Sequence, residues 1–200
     1  MTTRNRLRRP AHHPFRRVLP ALLAGVAFVG ACEDPFKLKA TDENQSQPFV
    51  VHALSGSQLA YVTALFFPVK QVARVDGAFA FDVAFDLNTA GDIVLLPVGL
   101  VGQSPGGNRR VGIQRTTTAY DAVGEAPTSG YAVDTATVIK RGETAVVQAQ
   151  ESLCAASLAP YLYAKIVVDS VDLAQRTIVG RVTINTNCGF RSLAKGLPGF

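Results

Sequence analysis

The segment GQSPG at residues 102–106 matches the G-x-S-x-G pattern that presents a serine nucleophile on a sharp strand-to-helix turn. Acyl transfer at such a serine needs a backbone N–H on the next residue, for the oxyanion, and a histidine base later in the chain. Pro105 follows Ser104 and has no N–H, and no histidine occurs after position 104. We therefore expect a loop here, in which Ser104 does not act as a nucleophile.

The segment DLNTAGD, which begins at Asp86, is a partial match to a calcium-binding loop. Asp86, Asn88 and Gly91 stand at the first, third and sixth positions of that loop. The fifth position is Ala90, and the twelfth is Pro97, where a bidentate glutamate is needed. Because Asp, Asn and Gly also favour tight turns, the segment predicts a hairpin turn rather than a metal site.

His52 is the single histidine after residue 31 and the natural candidate for a general base. Ser55 lies nearby in a sequence typical of a turn. Asp82 and Asp86 are four residues apart, about 13 Å along a strand, whereas the paired carboxylates of glycosidases are at most about 9.5 Å apart. No dinucleotide, phosphate-binding or zinc-ligand motif is present. The sequence gives no positive indication of an enzyme, and we predict no cofactor and no metal.

The formal net charge of +5 would suggest a nucleic-acid partner if it were spread over the chain. Six of the 20 lysines and arginines lie in residues 1–31, where there is no acidic residue, so that 14 basic residues face 15 acidic ones from Cys32 onward. No basic cluster interleaved with aromatic residues remains there. Nucleic acid is therefore not expected as a partner.

Residues 1–17 are basic, and the sequence VLPALLAGVAFVGA that follows, from Val18 to Ala31, is apolar. Fourteen helical residues span about 21 Å, which is short of the roughly 30 Å hydrocarbon core of a bilayer. A basic segment followed by a short apolar one and small residues is typical of a signal peptide. Residues 1–31 are therefore predicted to be a signal peptide.

The last residues of that segment, Val29-Gly30-Ala31, directly precede Cys32. This order of an aliphatic residue, two small residues and a cysteine resembles the lipobox of bacterial lipoprotein precursors, and the resemblance is confined to the leader. It implies cleavage after Ala31 and transfer of a diacylglyceryl group to the sulfur of Cys32. A thiol suits this transfer because the thiolate is a good nucleophile near neutral pH. Cys32 is thus the implied lipid attachment site, and the membrane is the implied partner.

The implied anchor would be stable, because each buried CH₂ contributes about 0.8 kcal/mol and the diacylglyceryl group supplies two acyl chains, with a third where the amine of Cys32 is also acylated. Paired arginines at 8–9 and 16–17 raise twin-arginine export as an alternative, although the sequence after Arg17 fits it poorly. Glu33 replaces the aspartate that retains some lipoproteins in the inner membrane. We therefore expect a bacterial cell-envelope location, with the outer membrane favoured.

Cys154 and Cys188 remain once Cys32 is assigned to the anchor. An even number of cysteines in an exported chain favours a disulfide. Such a bond would close a loop of roughly 35 residues and stabilise the fold by about 3–4 kcal/mol. Two free buried thiols are the alternative.

From Phe49 onward the chain alternates between apolar and polar residues in short segments separated by turn residues. The clearest strand is AFAFDVAFDL at 78–87, whose large residues share one face and are expected to be buried: Phe79, Phe81, Val83, Phe85 and Leu87. DIVLLPVGLV at 92–101 is expected to run back as a central strand, with Pro97 at a bulge or edge. Further strands are predicted at 49–53, 58–67, 69–75, 109–118, 131–139, 144–150, 161–169 and 176–186.

The predicted fold class is all-β, a β-sandwich of about eight to ten short antiparallel strands, with a small β-barrel as the alternative. The predicted domain organisation has three parts. These are a signal peptide at 1–31, a lipidated cysteine with a polar tether at 32–48, and a single β domain at 49–200.

The expected function is that of a membrane-anchored exported lipoprotein whose β domain has a non-catalytic binding, accessory or structural role. An envelope protein is a candidate partner. Two alternatives stay open, an exported hydrolase with a site not visible in the sequence and a small-ligand carrier. A cleft around His52 with a serine and a carboxylate would favour the hydrolase, and a wide apolar cavity would favour the carrier. A solid core with an exposed apolar face or an open sheet edge would favour the binding module.

Overall fold

The structure is a computed structural model that describes residues 39–102, 105, 109–157 and 159–199. Within these residues the chain forms eleven strands, one short helix and two 3-10 turns, the turns at Tyr120–Ala122 and Ser152–Cys154. The strands and the helix, in chain order, are β1 (Ser46–His52), β2 (Val62–Phe66), β3 (Gln71–Arg74), β4 (Val83–Leu87), β5 (Ile93–Pro97), α1 (Val98–Val101), β6 (Val111–Thr116), β7 (Ala132–Val133), β8 (Thr137–Ile139), β9 (Thr144–Gln150), β10 (Tyr161–Asp172) and β11 (Thr177–Asn185).

The strands form two antiparallel sheets. The six-stranded sheet has the order β1-β11-β10-β9-β6-β7, and the five-stranded sheet has the order β3-β2-β4-β5-β8. The two sheets are not joined into one closed sheet. The prediction of an all-β sandwich is confirmed, and its alternative, the small barrel, is wrong.

The core lies between the two sheets and is filled by large apolar side chains. Phe49 of β1 packs against Phe85 of β4 with ring centroids 5.2 Å apart, so these rings join the two sheets. Gly180 in β11 leaves room for the Phe49 ring, because a Cβ there would lie 2.7 Å from that ring and 2.3 Å from the Val167 carbonyl oxygen. The fully buried large side chains include Leu65, Phe67, Phe81, Ile93, Leu95, Ile113, Ile139, Ile166 and Ile178.

The β2–β3 hairpin is closed by a four-residue turn, Phe67–Lys70. The Lys70 N–H donates to the Phe67 carbonyl oxygen at 3.0 Å. Pro68 suits the second position of such a turn because its ring sets the φ that this position requires. The turn leaves the Val69 side chain 53% exposed at its tip.

The β2–β3 turn lies at the same end of the sandwich as the residues that precede β1. β2 runs antiparallel to β4, with Leu65 opposite Val83, so the β2–β3 turn and the β4–β5 turn at 88–92 lie at opposite ends of the sheet. Lys70 contacts Asp42, with Nζ 2.6 Å from Oδ2. We call the end that carries Asp42 and the β2–β3 turn the N-terminal end of the sandwich.

The domain begins before Phe49, where the sequence analysis placed its boundary. β1 starts at Ser46, and the fully buried Asn44 forms a backbone bridge to Gly196. The Asn44 Nδ2 also donates to the Ser192 carbonyl oxygen at 2.8 Å. The polar composition suggested a tether, but an asparagine amide can replace main-chain hydrogen bonds, and the last residues of the expected tether are therefore part of the fold.

The strand expected at 78–87 is shorter than predicted, because β4 covers only Val83–Leu87. Four of its five large residues are buried as predicted, but Phe79 is 45% exposed. Asp82 was expected on the solvent-facing side and is instead fully buried. Phe79 is exposed because it precedes β4 and does not belong to the strand. Asp82 still bonds through its backbone to Leu65 and Val98, and it is buried because this face of the segment is covered too, as the fully buried Ala84 shows.

Two other predicted strands are interrupted. The segment 92–101 divides into the central strand β5, which ends at Pro97, and the short helix α1. The segment 131–139 divides into β7 and β8, which belong to different sheets. A chain that crosses between sheets keeps its apolar alternation, so the pattern alone did not reveal the break.

Cys154 and Cys188 form a disulfide, with Cα atoms 5.3 Å apart, as predicted. The bond joins the 3-10 turn after β9 to the segment after β11. In the part of the chain that the structure describes, no helix combines the length and the apolar character needed to cross a membrane.

Candidate functional site

A buried ion network at the N-terminal end joins Asp82, Arg109 and Glu151. The three residues flank β4, β6 and β9, whose ends meet there. One Asp82 oxygen accepts the Phe67 N–H at 2.8 Å, and the other lies 2.9 Å from Arg109 Nε. Arg109 Nη1 donates to Glu151 Oε2 at 2.6 Å. The Asp82 side chain is fully buried, and those of Arg109 and Glu151 are 10% and 8% exposed.

The two carboxyl groups of this network have opposite pKa shifts. Burial raises the pKa of Asp82 to about 6, although Arg109 and the Phe67 N–H favour its ionised form. Burial also acts to raise the pKa of Glu151, but the Leu153 N–H and Arg109 outweigh it, and the pKa lies below its usual value. Glu151 therefore stays ionised at a pH where Asp82 takes up a proton.

Carboxyl groups with separated pKa values can act as an acid–base pair, but Asp82 is closed to a substrate. A cleft of about 430 Å³ beside it is bordered by Phe66, Leu153, Arg109 and Glu151. Asp82 has no exposed surface, and the Phe66 ring lies 5.4 Å from the Arg109 guanidinium. A ligand in the cleft would meet Arg109, Glu151 and the side chains of Phe66 and Leu153, and it would not reach Asp82. The network fits a structural role, holding three strand ends together.

His52 and Ser55 have separate partners. The His52 ring stacks on Tyr61, with centroids 4.4 Å apart. The Ser55 hydroxyl donates to the Asp86 carboxylate, which also pairs with Arg176 Nη2 at 3.0 Å. The structure thus places the sequence-derived base against an aromatic ring and the nearby serine in an ion-paired cluster.

The segment that partly matched a calcium loop forms the β4–β5 turn. Asn88 Oδ1 accepts the backbone N–H groups of Ala90 and Asp92, both at 2.9 Å, and Gly91 has a φ of +82° that favours glycine. The Asp86 carboxylate faces Arg176 rather than the turn. Among the described residues, no group of three or more His, Cys, Asp or Glu is placed to hold a metal ion.

Two residues singled out by the sequence lie outside the described residues. One is Cys32, the implied lipid attachment site, and the other is Ser104 of the GQSPG segment. Their roles stay predictions.

The N-terminal end also carries an exposed apolar surface that the sequence analysis did not predict. We define this apolar end surface by five side chains, Phe66, Val69, Val72, Phe79 and Leu153. Val69, Phe79 and Leu153 are 53%, 45% and 87% exposed. Phe66 borders two clefts, one of about 420 Å³ with Val69, Val72 and Phe79, and the one of about 430 Å³ with Leu153. Phe66 therefore links the two clefts, and each of the five side chains borders one or both of them.

The apolar end surface lies beside an open sheet edge. Within the described part of the chain, β3 pairs with β2 on one side only, so its other edge presents unpaired backbone groups. Arg74 at the rim of this surface lies 4.5 Å from the Phe79 ring centroid and 3.1 Å from an Asp76 oxygen, so its charge is paired. Val69 also borders a polar cleft with Asp42, Glu43 and Lys70.

Comparisons with known proteins give no relative. The chain matches no protein-family model, and searches of curated proteins and of solved structures find no match either.

Proposed function

We propose that this chain is a lipoprotein of the bacterial cell envelope, anchored by a lipid on Cys32, whose β-sandwich is a non-catalytic binding, accessory or structural domain. The observation that carries this proposal is the apolar end surface beside the open edge of β3, on a domain with a filled core. Surfaces of this kind mark sites of protein or membrane contact. Its expected partners are the membrane and an envelope protein.

The proposed anchor rests on the Val29-Gly30-Ala31-Cys32 motif after a basic and apolar leader. The disulfide between Cys154 and Cys188 supports export, because such bonds persist in oxidising compartments. After export the anchor would hold the domain at the membrane, with delivery to the outer membrane favoured by Glu33.

The two alternatives have less support. A hydrolase of the usual kind needs a base within hydrogen-bond reach of its nucleophile, whereas His52 and Ser55 have separate partners. A carrier needs an apolar cavity, whereas Phe67, Phe81 and Phe85 fill the space between the sheets. The binding module is therefore the function that the geometry supports best.

Metabolic labelling tests the anchor. Cells that express the wild-type chain and receive a palmitate analogue should give a labelled protein that partitions into detergent, whereas Cys32→Ser should show neither property. A Cys154→Ser/Cys188→Ser double variant is the matched control, because it removes two thiols and should keep both the label and the partitioning. Equal labelling of the wild type and Cys32→Ser would refute the anchor.

A further inference from the structure

We infer that the apolar end surface contacts the phospholipid bilayer that holds Cys32 and so orients the sandwich on the membrane. This inference rests on the proposed lipidation of Cys32, and it names the boundary between headgroups and acyl chains as the partner of the surface.

Chain length keeps the N-terminal end close to the anchor. Asp42 is ten residues after Cys32, and ten residues reach at most about 33–36 Å. Even this upper limit is less than the roughly 40 Å diameter of a domain of this size. Lys70 binds the Asp42 carboxylate at 2.6 Å and donates to the Glu43 carbonyl oxygen at 3.4 Å. The turn that exposes Val69 is thus tied to the residues that lead to the anchor.

The side chains at this end suit the interfacial region of a bilayer. Leu153 and Val69 project from two turns, and burying apolar surface contributes about 25 cal/mol per Å². Interfacial segments bury such groups about 5–10 Å into the headgroup and acyl boundary. Lys70 is paired with Asp42, and Arg109 with Glu151. The contact therefore depends on apolar burial rather than on attraction to anionic headgroups.

Two exposed aliphatic side chains with their neighbours are too few to hold a protein on a membrane alone. The anchor changes this, because it makes the contact intramolecular and raises the effective concentration of the surface at the bilayer. We therefore expect the contact in the lipidated protein and not in Cys32→Ser.

The absence of tryptophan from the sequence permits a direct test. Three variants each introduce one tryptophan at an exposed position: Val69→Trp, Leu153→Trp and the control Leu173→Trp. Leu173 is 61% exposed and lies at the far end, where its Cδ2 is 3.2 Å from the position of a Cβ on Gly91 of the β4–β5 turn. Each lipidated chain is reconstituted in vesicles of phosphatidylethanolamine and phosphatidylglycerol that contain doxyl-labelled phosphatidylcholine.

The tryptophans at positions 69 and 153 should be quenched by the doxyl lipid. They should also emit at shorter wavelength than the same tryptophans in variants that carry Cys32→Ser as well, measured without detergent. The tryptophan at position 173 should show neither change. Adding Leu153→Glu to Val69→Trp should reduce the quenching at position 69 while palmitate labelling stays at the wild-type level.

The outcomes separate the contact from the anchor. Normal palmitate labelling with equal quenching at positions 69 and 173, or with no quenching at either, would overturn the membrane contact alone and leave the surface to a protein partner. Absence of palmitate from Cys32 would overturn both the anchor and the contact.

Discussion

Replacement of Arg109 by methionine should destabilise the domain in a pH-dependent way. Methionine keeps much of the length of the side chain and removes the charge that lies 2.9 Å from Asp82 and 2.6 Å from Glu151. Removing one partner of a buried ion pair typically costs about 3–5 kcal/mol, because a charge is left without compensation. We expect that loss in the free energy of unfolding at pH 8.

The pH dependence follows from the raised pKa of Asp82, about 6 in the fold against an ordinary value of 3.8. The folded state holds the Asp82 proton more tightly, so stability from this group falls as the pH rises from 3.8 to 6. The difference corresponds to about 3 kcal/mol. At pH 5 Asp82 is mostly protonated in the wild type, so the ionised Glu151 is the carboxylate of the network that Arg109 still neutralises. Arg109→Met should therefore cost clearly less at pH 5 than at pH 8.

Urea unfolding followed by circular dichroism, at both pH values and in a Cys32→Ser background, measures this difference. Arg74→Met is the matched control, since its pair with Asp76 is partly exposed and such pairs contribute about 0–1 kcal/mol. A loss for Arg109→Met that is equal at pH 5 and pH 8, or no larger than the loss for Arg74→Met, would refute the argument.

Four further predictions concern the core, the disulfide and the GQSPG segment. Phe81→Ala should cost about 3–5 kcal/mol in urea unfolding because Phe81 is fully buried, whereas the half-exposed Phe79→Ala should cost much less, and comparable losses would contradict the assignment of Phe81 to the core. Gly180→Ala should lower the melting temperature more than Gly142→Ala, because the new Cβ at position 180 would lie 2.3 Å from the Val167 carbonyl oxygen. At position 142 the new Cβ meets no atom within 4 Å, so the cost there is only the strain of an alanine at positive φ. Mass spectrometry without reduction should find the peptides of Cys154 and Cys188 joined, and alkylation of both thiols without a reductant would count against the bond. A fluorophosphonate probe should leave Ser104 unmodified, and labelling that heat denaturation abolishes would place the protein among the hydrolases.

The strands that could be predicted are those whose large apolar residues recur with a period of two. Phe81, Val83, Phe85 and Leu87 are buried as the alternation requires, and the order of short strands and turns indicated a sandwich. The disulfide could also be predicted, because only Cys154 and Cys188 remained once Cys32 was assigned to the lipid anchor. These features depend on local pattern or on counting, both of which a single sequence contains.

Asp82 shows why the ion network could not be predicted. A charged residue in an alternating segment is expected to face solvent, and nothing near Asp82 in the sequence marks an exception. Its partner Arg109 lies 27 residues later, and Glu151 lies 42 residues beyond Arg109. Only the meeting of three strand ends brings them together. Asn44 was missed for a related reason, since its hydrogen bonds join residues at the two ends of the domain.

The apolar end surface was hidden because residue type does not distinguish an exposed phenylalanine from a buried one. Phe79 and Phe81 are two residues apart in an alternating segment, yet one is 45% exposed and the other 1%. The difference arises from the path of the chain, because Phe79 precedes β4, which starts only at Val83. Sequence alternation shows which residues can share a face, but not where a strand starts.

The exposed side chains of this surface are held by fixed neighbours, which favours a binding role over incidental exposure. Leu153 stands between Glu151, which is paired with Arg109, and Cys154, which is bonded to Cys188. Val69 stands between a proline and Lys70, whose ammonium group is paired with Asp42. A surface whose side chains are already positioned loses less conformational entropy on binding. Because ion pairs and a disulfide fix their neighbours, Val69 and Leu153 can contribute to binding with a smaller entropy loss than the same side chains would in a mobile loop.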